Sequence, residues 1–107
     1  MTTVRFFCKG DSISGFEISG HTNYAEAGQD IVCSAVSSVA YMTANTILEI
    51  QGIDAKAEEK DGYMKLSIPE DKLSETEVIL EGMYLHMKEL AGQYPGFLKV
   101  ERGANNA

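Results

Sequence analysis

The sequence predicts an α+β fold: a two-layer α/β sandwich in the order β-β-α-β-β-α-β, with two helices packed on a mainly antiparallel sheet. Three observations lead there. Short β-prone runs come in pairs around turn clusters, Lys9-Gly10-Asp11-Ser12 and Lys60-Asp61-Gly62. Two longer stretches, after Asp30 and after Ser74, carry apolar residues at spacings of three and four. Two hairpins cannot bury one face of a sheet alone, so both helices are expected to cover it. The 107 residues fit one compact domain, 1–107, without repeat, low-complexity segment or linker.

Val4 to Cys8, built around Phe6 and Phe7, is the first predicted strand. Ile13 to Ser19 is the second, with Ile13, Phe16 and Ile18 in a broken alternation and Gly15 marking a weak point or a bulge. Gly20 to Gln29 is a polar loop, longer than a hairpin connection. Asp30 is a good N-cap for a helix from Ile31 to about Gln51, which Gly52 stops. Val32, Val36, Val39, Thr43, Ile47 and Ile50 share the face expected to meet the sheet. Cys33, Ser37, Ala40 and Ala44 form an adjoining stripe of small side chains, where a ligand or another backbone can come close. Ile53 to Glu59 and Tyr63 to Ile68 make the second hairpin, ended by Pro69. Ser74-Glu75-Thr76-Glu77 reads as a capping box for a helix that runs to about Gln93. Ile79, Met83, Met87 and Leu90 are its core face; Val78 and Leu85 lie outside that face, where another subunit would meet them. Phe97 to Glu101 is a short last strand, and Arg102 to Ala107 a frayed polar tail.

Composition narrows the function. The formal charge is −7 and the pI about 4.7. Such a field repels nucleic acid and attracts a basic partner. Two cysteines, Cys8 and Cys33, do not make a secreted disulfide scaffold. The start, M-T-T-V-R-F-F, lacks the pattern of a signal peptide, and no stretch is expected to approach the ~20 apolar residues of a membrane span. A cytoplasmic protein with reduced thiols, no direct nucleic-acid contact and no membrane association is the simplest expectation.

The chemistry centres on Cys33. With Asp30 as N-cap, it is the third residue of the helix, where unpaired N–H groups and the helix dipole favour a thiolate. The plainer alternative is a small buried hydrophobe. His21, twelve residues upstream, is the candidate general base, since a glycine-flanked loop allows it to fold back over the thiol. His86, at the edge of the second helix's apolar face, is the competing histidine and fits packing or surface better. Asp30 either orients His21 or only caps the helix. Ser37, one turn beyond Cys33, is a candidate donor to the thiolate or substrate. Backbone N–H groups of Cys33 or Ser34 are candidate oxyanion donors. Gly20 and Gly28 bracket the loop as candidate hinges. Cys8, Cys33, His21 and His86 lack paired ligand spacing, so neither a metal nor another cofactor is expected; Cys8 reads as core.

The run G-H-T-N-Y-A-E-A-G-Q-D-I-V-C-S-A-V-S resembles the signature of the ribosomal-processing cysteine protease (Prp) family. The matched positions are Gly20-His21, Gly28 and Asp30-Ile31-Val32-Cys33, with the family's His-to-Cys spacing. The resemblance extends in length and element order over nearly the whole chain. It implies a cysteine endopeptidase that removes a short apolar N-terminal extension from large-subunit ribosomal protein twenty-seven. Cys33 would be nucleophile and His21 base, Asp30 and Ser37 would support the site, and the loop between His21 and Asp30 would move to admit substrate. It also implies a homodimer. Two other classes stand beside this: a non-catalytic adaptor for ribosomal proteins or assembly intermediates, and an RNA-binding accessory factor, which the charge disfavours.

Overall fold

The computed structural model describes residues 1–20 and 27–104; at 27–30 and 104 it describes the backbone alone. The elements are β1 (Thr2–Lys9), β2 (Ser12–Ser19), α1 (Ala27–Asn45), β3 (Lys56–Lys60), β4 (Tyr63–Ser67), α2 (Leu73–Gln93) and β5 (Leu98–Ala104). The predicted order holds. The five strands form one sheet in the order β3-β4-β2-β1-β5. Three pairings are antiparallel and the fourth, β1 with β5, is parallel.

Alternation along the strands divides the sheet into two faces. Val4, Phe6, Ile13, Phe16, Leu66 and Leu98 pack in one buried cluster with residues of both helices. The opposite face carries charges in register across all five strands. Glu101, Arg5, Glu17, Lys65 and Glu58 are successive cross-strand partners, alternating in sign. Arg5 bridges both its neighbours, at 3.3 Å to Glu17 and 3.0 Å to Glu101. Opposed charges on adjacent strands suit a face left in water. The edge strand β3 is exposed along its whole length.

Gly15 does mark an irregularity. Phe7 pairs with Gly15 and Cys8 with Ile13, so Ser14 is the extra residue of a β-bulge. A side chain at Gly15 would run into the carbonyl oxygen of Leu66 on β4.

On α1, Val32, Val36 and Thr43 are buried as predicted, as is Ile47 in the turn that follows it, joined by Ala40 and Ala44 from the small-residue stripe. Ile50, expected on the same face, is 81% exposed. The reason lies in the last turn. Residues Thr46–Ile50 form a π-helical turn, with the Gln51 N–H donating to the Thr46 carbonyl at 2.8 Å. The Thr43 and Thr46 hydroxyls donate back to the carbonyls of Val39 and Met42, a habit that loosens the helical ladder. The wider turn rotates Ile50 off the core. Gly52 ends the helix at φ +65°, and the Ile53 N–H then reaches the Ile47 carbonyl at 3.0 Å.

Four further expectations need correction. The predicted capping box is not used: a 3₁₀ turn over Glu70–Lys72 leads straight into α2, so Ser74 is its second residue rather than its cap. Leu80 and Thr76 are buried on α2 while Ile79 is only partly so, a small rotation of the expected face. Arg102 does not fray: β5 continues through it, and its guanidinium holds Glu81 of α2 with both contacts at 2.7 Å. Finally, Ile31–Ile50 is by length and composition apolar enough to cross a membrane; here Val32, Val36, Ala40, Ala44 and Ile47 use that apolarity to cover the sheet.

Candidate active site

The start of α1 decides the geometry around Cys33. Helix begins at Ala27, three residues before the predicted cap. Asp30 is therefore a helical residue and not an N-cap. Cys33 is the seventh residue of the helix, and Gly28 lies inside it rather than in a loop. The unpaired N–H groups of a helix start belong to its first turn, around residues 27–30. Those of Cys33 and Ser34 fall in the regular ladder, where each N–H donates four residues back. The oxyanion expectation for these two amides does not fit the helix as it stands.

Cys33 is half-buried on the side of α1 turned toward the N-terminal end of β1. Its Sγ lies 3.6 Å from the Thr2 hydroxyl. Thr2 is buried, and its Oγ1 also donates to the Gly20 carbonyl at 3.3 Å. Gly20 leaves β2 at φ +90°, and its N–H donates to the Gly62 carbonyl in the β3–β4 turn at 3.0 Å. Four segments thus meet beside the thiol: the start of β1, the end of β2, α1 and the β3–β4 hairpin.

Between them lies a cavity of about 550 Å³. Cys33, Ser37 and Tyr41, each one helical turn apart, line it from α1. Thr2, Ile18 and Gly20 close one side, and the hairpin residues from Glu59 to Met64 close the other. Its size suits a few side chains of an extended peptide. Glu59, Lys60 and Asp61 bring charge to the rim, and the Lys60 ammonium sits 5.2 Å from the Tyr63 ring centre. Tyr63 donates its hydroxyl proton to Glu17 at 2.8 Å. That bond, then burial and the carboxylate charges of Glu17 and Glu58, push its ionisation up to about 12.

The candidates from the sequence divide as follows. Cys33, Ser37 and Gly20 share the cavity. His21 and the Asp30 side chain lie outside the described residues, but His21 directly follows Gly20, which is fixed within two hydrogen bonds of the thiol. Ser34 is exposed and does not line the cavity. His86 is exposed on α2, beside a separate hollow lined by Val39, Met42, Val78 and Ile79. Cys8 is half-buried on β1 against the core, away from the Cys33 cavity. Sequence reasoning missed Thr2, Tyr41 and the hairpin wall. Tyr41 had a usable signal, since it continues the Cys33-Ser37 spacing; Thr2 and the hairpin had none, because only the sheet order brings them there.

A thiol facing a peptide-sized cavity on this sandwich suits a cysteine hydrolase, and the family comparison gives that class: the chain is a cysteine protease. It belongs to the family described as cysteine protease Prp, whose model matches residues 1–99. The ribosomal processing cysteine protease Prp of Bacillus subtilis (strain 168) is 30% identical over 94 residues, covering 82% of this chain and 84% of its own length. That of Staphylococcus aureus (strain Mu50) is 24% identical over 79 residues, 72% of this chain and 74% of its own. The S. aureus Prp crystal structure in complex with a substrate peptide shares the fold with a TM-score of 0.85 at 20% identity, covering 95% of this chain and 99% of that one. SMU.848 from Streptococcus mutans superposes with a TM-score of 0.79 at 27% identity, covering 96% and 94%.

Proposed function

We propose that this protein is a ribosomal processing endopeptidase that removes a short apolar N-terminal extension from the precursor of large-subunit ribosomal protein twenty-seven. The observation that carries this reading is the Cys33 thiol on the wall of a 550 Å³ cavity, beside the residue that precedes His21. The names of the B. subtilis and S. aureus relatives support it. A net charge of −7 suits a basic ribosomal substrate.

In this reading His21 takes the Cys33 proton, and the sulfur attacks the scissile carbonyl carbon. A C–S bond forms as the C–N bond breaks, and the imidazolium gives its proton to the leaving amine. Water, deprotonated by His21, then cleaves the thioester and releases the acyl group as a carboxylate. Asp30 orients His21, and Ser37 donates toward the substrate from the cavity wall. For the Cys33 or Ser34 amide to hold the oxyanion, the helix start must unwind by about a turn. Gly28 eases that step, since a mid-helix glycine is worth ~1 kcal/mol less than alanine; Gly20, the other candidate hinge, is held by its bonds to Gly62 and Thr2 and is the fixed end. The protein works as a homodimer in the cytoplasm, for which Val78 and Leu85, 87% and 60% exposed on α2, offer apolar surface.

The test is incubation with the organism's own ribosomal precursor, followed by mass spectrometry of the fragments. Wild type is expected to release the extension and Cys33→Ala to release none. Normal trimming by Cys33→Ala would overturn the assignment of Cys33, and a wild type that binds the precursor but releases no extension would leave the non-catalytic adaptor in its place.

A further inference from the structure

Thr2 is an unusual residue to find sealed beside a reactive thiol. It is 2% exposed, and the strand fixes its backbone through an N–H donated to the Phe97 carbonyl at 3.1 Å. Its β-branched side chain has little χ1 freedom. A threonine hydroxyl has one proton and two lone pairs. In the arrangement observed, that proton points to the Gly20 carbonyl at 3.3 Å, while the oxygen faces Cys33 Sγ at 3.6 Å. The oxygen can therefore accept from the S–H, and a half-turn of the hydroxyl lets it donate to the sulfur once the thiol proton has gone.

We propose that Thr2 is a positioning residue for catalysis, a buried hydroxyl that holds the Cys33 sulfur and the backbone at Gly20, the residue before His21, in one fixed relation. The proposal rests on Cys33 being the nucleophile. It follows from the contacts themselves: one side chain on the sheet touches both the helix that carries the sulfur and the strand end that precedes His21. Gly20 is equally constrained from its own side, since a Cβ there would stand 2.6 Å from the Met1 carbonyl oxygen. Thiolate formation adds a second role, because a hydrogen bond to the charged form of a group favours that form. Among the described residues, the other titratable groups around the cavity are Glu59, Lys60, Asp61 and Tyr63 from the hairpin and Tyr41 from α1.

Thr2→Val keeps the shape and strand preference but removes the hydroxyl, whereas Thr2→Ser keeps the hydroxyl. Two readouts on the whole protein separate a positioning role from a packing one. The first is the pH dependence of iodoacetamide alkylation at Cys33, followed by peptide mass mapping so that Cys8 is counted apart. The second is cleavage of the ribosomal precursor, resolved into kcat and KM. For Thr2→Val the alkylation midpoint is expected to rise by about half a unit to one unit, and kcat to fall about tenfold with KM within about twofold. Thr2→Ser is expected to restore both. If Thr2→Val does not fold by circular dichroism, Thr2→Ala replaces it, with a smaller upward shift of the same sign expected. An alkylation profile and kcat in the hydroxyl-free variant that coincide with wild type would overturn the proposal. Cys33→Ala distinguishes the two levels: its inactivity alongside an unchanged Thr2→Val removes only the role of Thr2, while its retained activity removes the nucleophile reading itself.

Discussion

Replacing Gly20 by alanine tests how tightly the site is built. Two separate costs arise. The backbone at Gly20 has φ +90°, a region that costs an L side chain about 1–3 kcal/mol. The new Cβ would also stand 2.6 Å from the Met1 carbonyl oxygen, a backbone atom that cannot swing aside. Relief requires Gly20 to move, which strains its N–H bond to Gly62 at 3.0 Å and the Thr2 bond to its carbonyl at 3.3 Å. Each such bond is worth about 1 kcal/mol net. Backbone strain and one lost bond together give a destabilisation of about 3 kcal/mol. For a chain of 107 residues, with an unfolding entropy of ~2.1 cal/mol/K per residue, that lowers Tm by about 13 °C. Urea denaturation should show a lower midpoint at unchanged slope, and alkylation of Cys33 at fixed pH should change, because Thr2 moves with Gly20. A Gly20→Ala protein within about 0.5 kcal/mol of wild type, with unaltered Cys33 reactivity, would refute the reasoning.

Three other outcomes are expected. Tyr63 should ionise near pH 12 rather than 10 in a spectrophotometric titration. Since the raised value belongs to the folded state, its contribution to stability is full below pH 10 and is lost as pH rises toward 12; Tyr63→Phe should flatten that alkaline loss. Glu81 is held below the usual carboxylate range by its hydrogen bonds from Arg102, so its contribution is present above the ordinary glutamate value and is lost as pH falls through the depressed one. Arg102→Met should cost about 1 kcal/mol at neutral pH and flatten the acid limb of the stability profile measured by urea titration. Leu80→Ala, at a fully buried position, should cost about 2–5 kcal/mol by denaturant melt, whereas Ile50→Ser, at a site 81% exposed, should stay within about 0.5 kcal/mol.

Much of the fold could be read from local chemistry. Asp61-Gly62 marked the second hairpin, and Gly52 the end of the first helix, because turns and helix stops are decided by a few neighbouring residues. Val32, Val36 and Ile47 announced the buried face by spacing alone. Features set by competition or by distant partners were not legible. Asp30 is a better cap than Ala27, yet the helix extends three residues past it, although Gly28 and Asp30 are weak helix formers, so neither cap preference nor propensity announced that start. Ile50 fits the spacing, but a π turn rotates it away. Arg102 looked like tail until Glu81, twenty-one residues upstream in sequence, was placed against it. The site shows the same division. Cys33, Ser37 and Gly20 carried signals in their own segment, whereas Thr2 and the Glu59–Met64 wall came to the thiol through the strand order β3-β4-β2-β1-β5.

The edge strand β3 has one more consequence. Its sequence, Lys56-Ala57-Glu58-Glu59-Lys60, is exposed throughout, and its last two residues border the Cys33 cavity. Suppose a second molecule added the same segment antiparallel, centred on Glu58. Lys56 would then oppose Lys60 at both ends and Glu58 would oppose itself at the centre, so like charges would meet at three of the five rungs, with Glu59 facing Ala57 at the other two. The segment is a poor template for its own polymerisation, and the mouth of the cavity is not readily capped by a sister molecule through that edge.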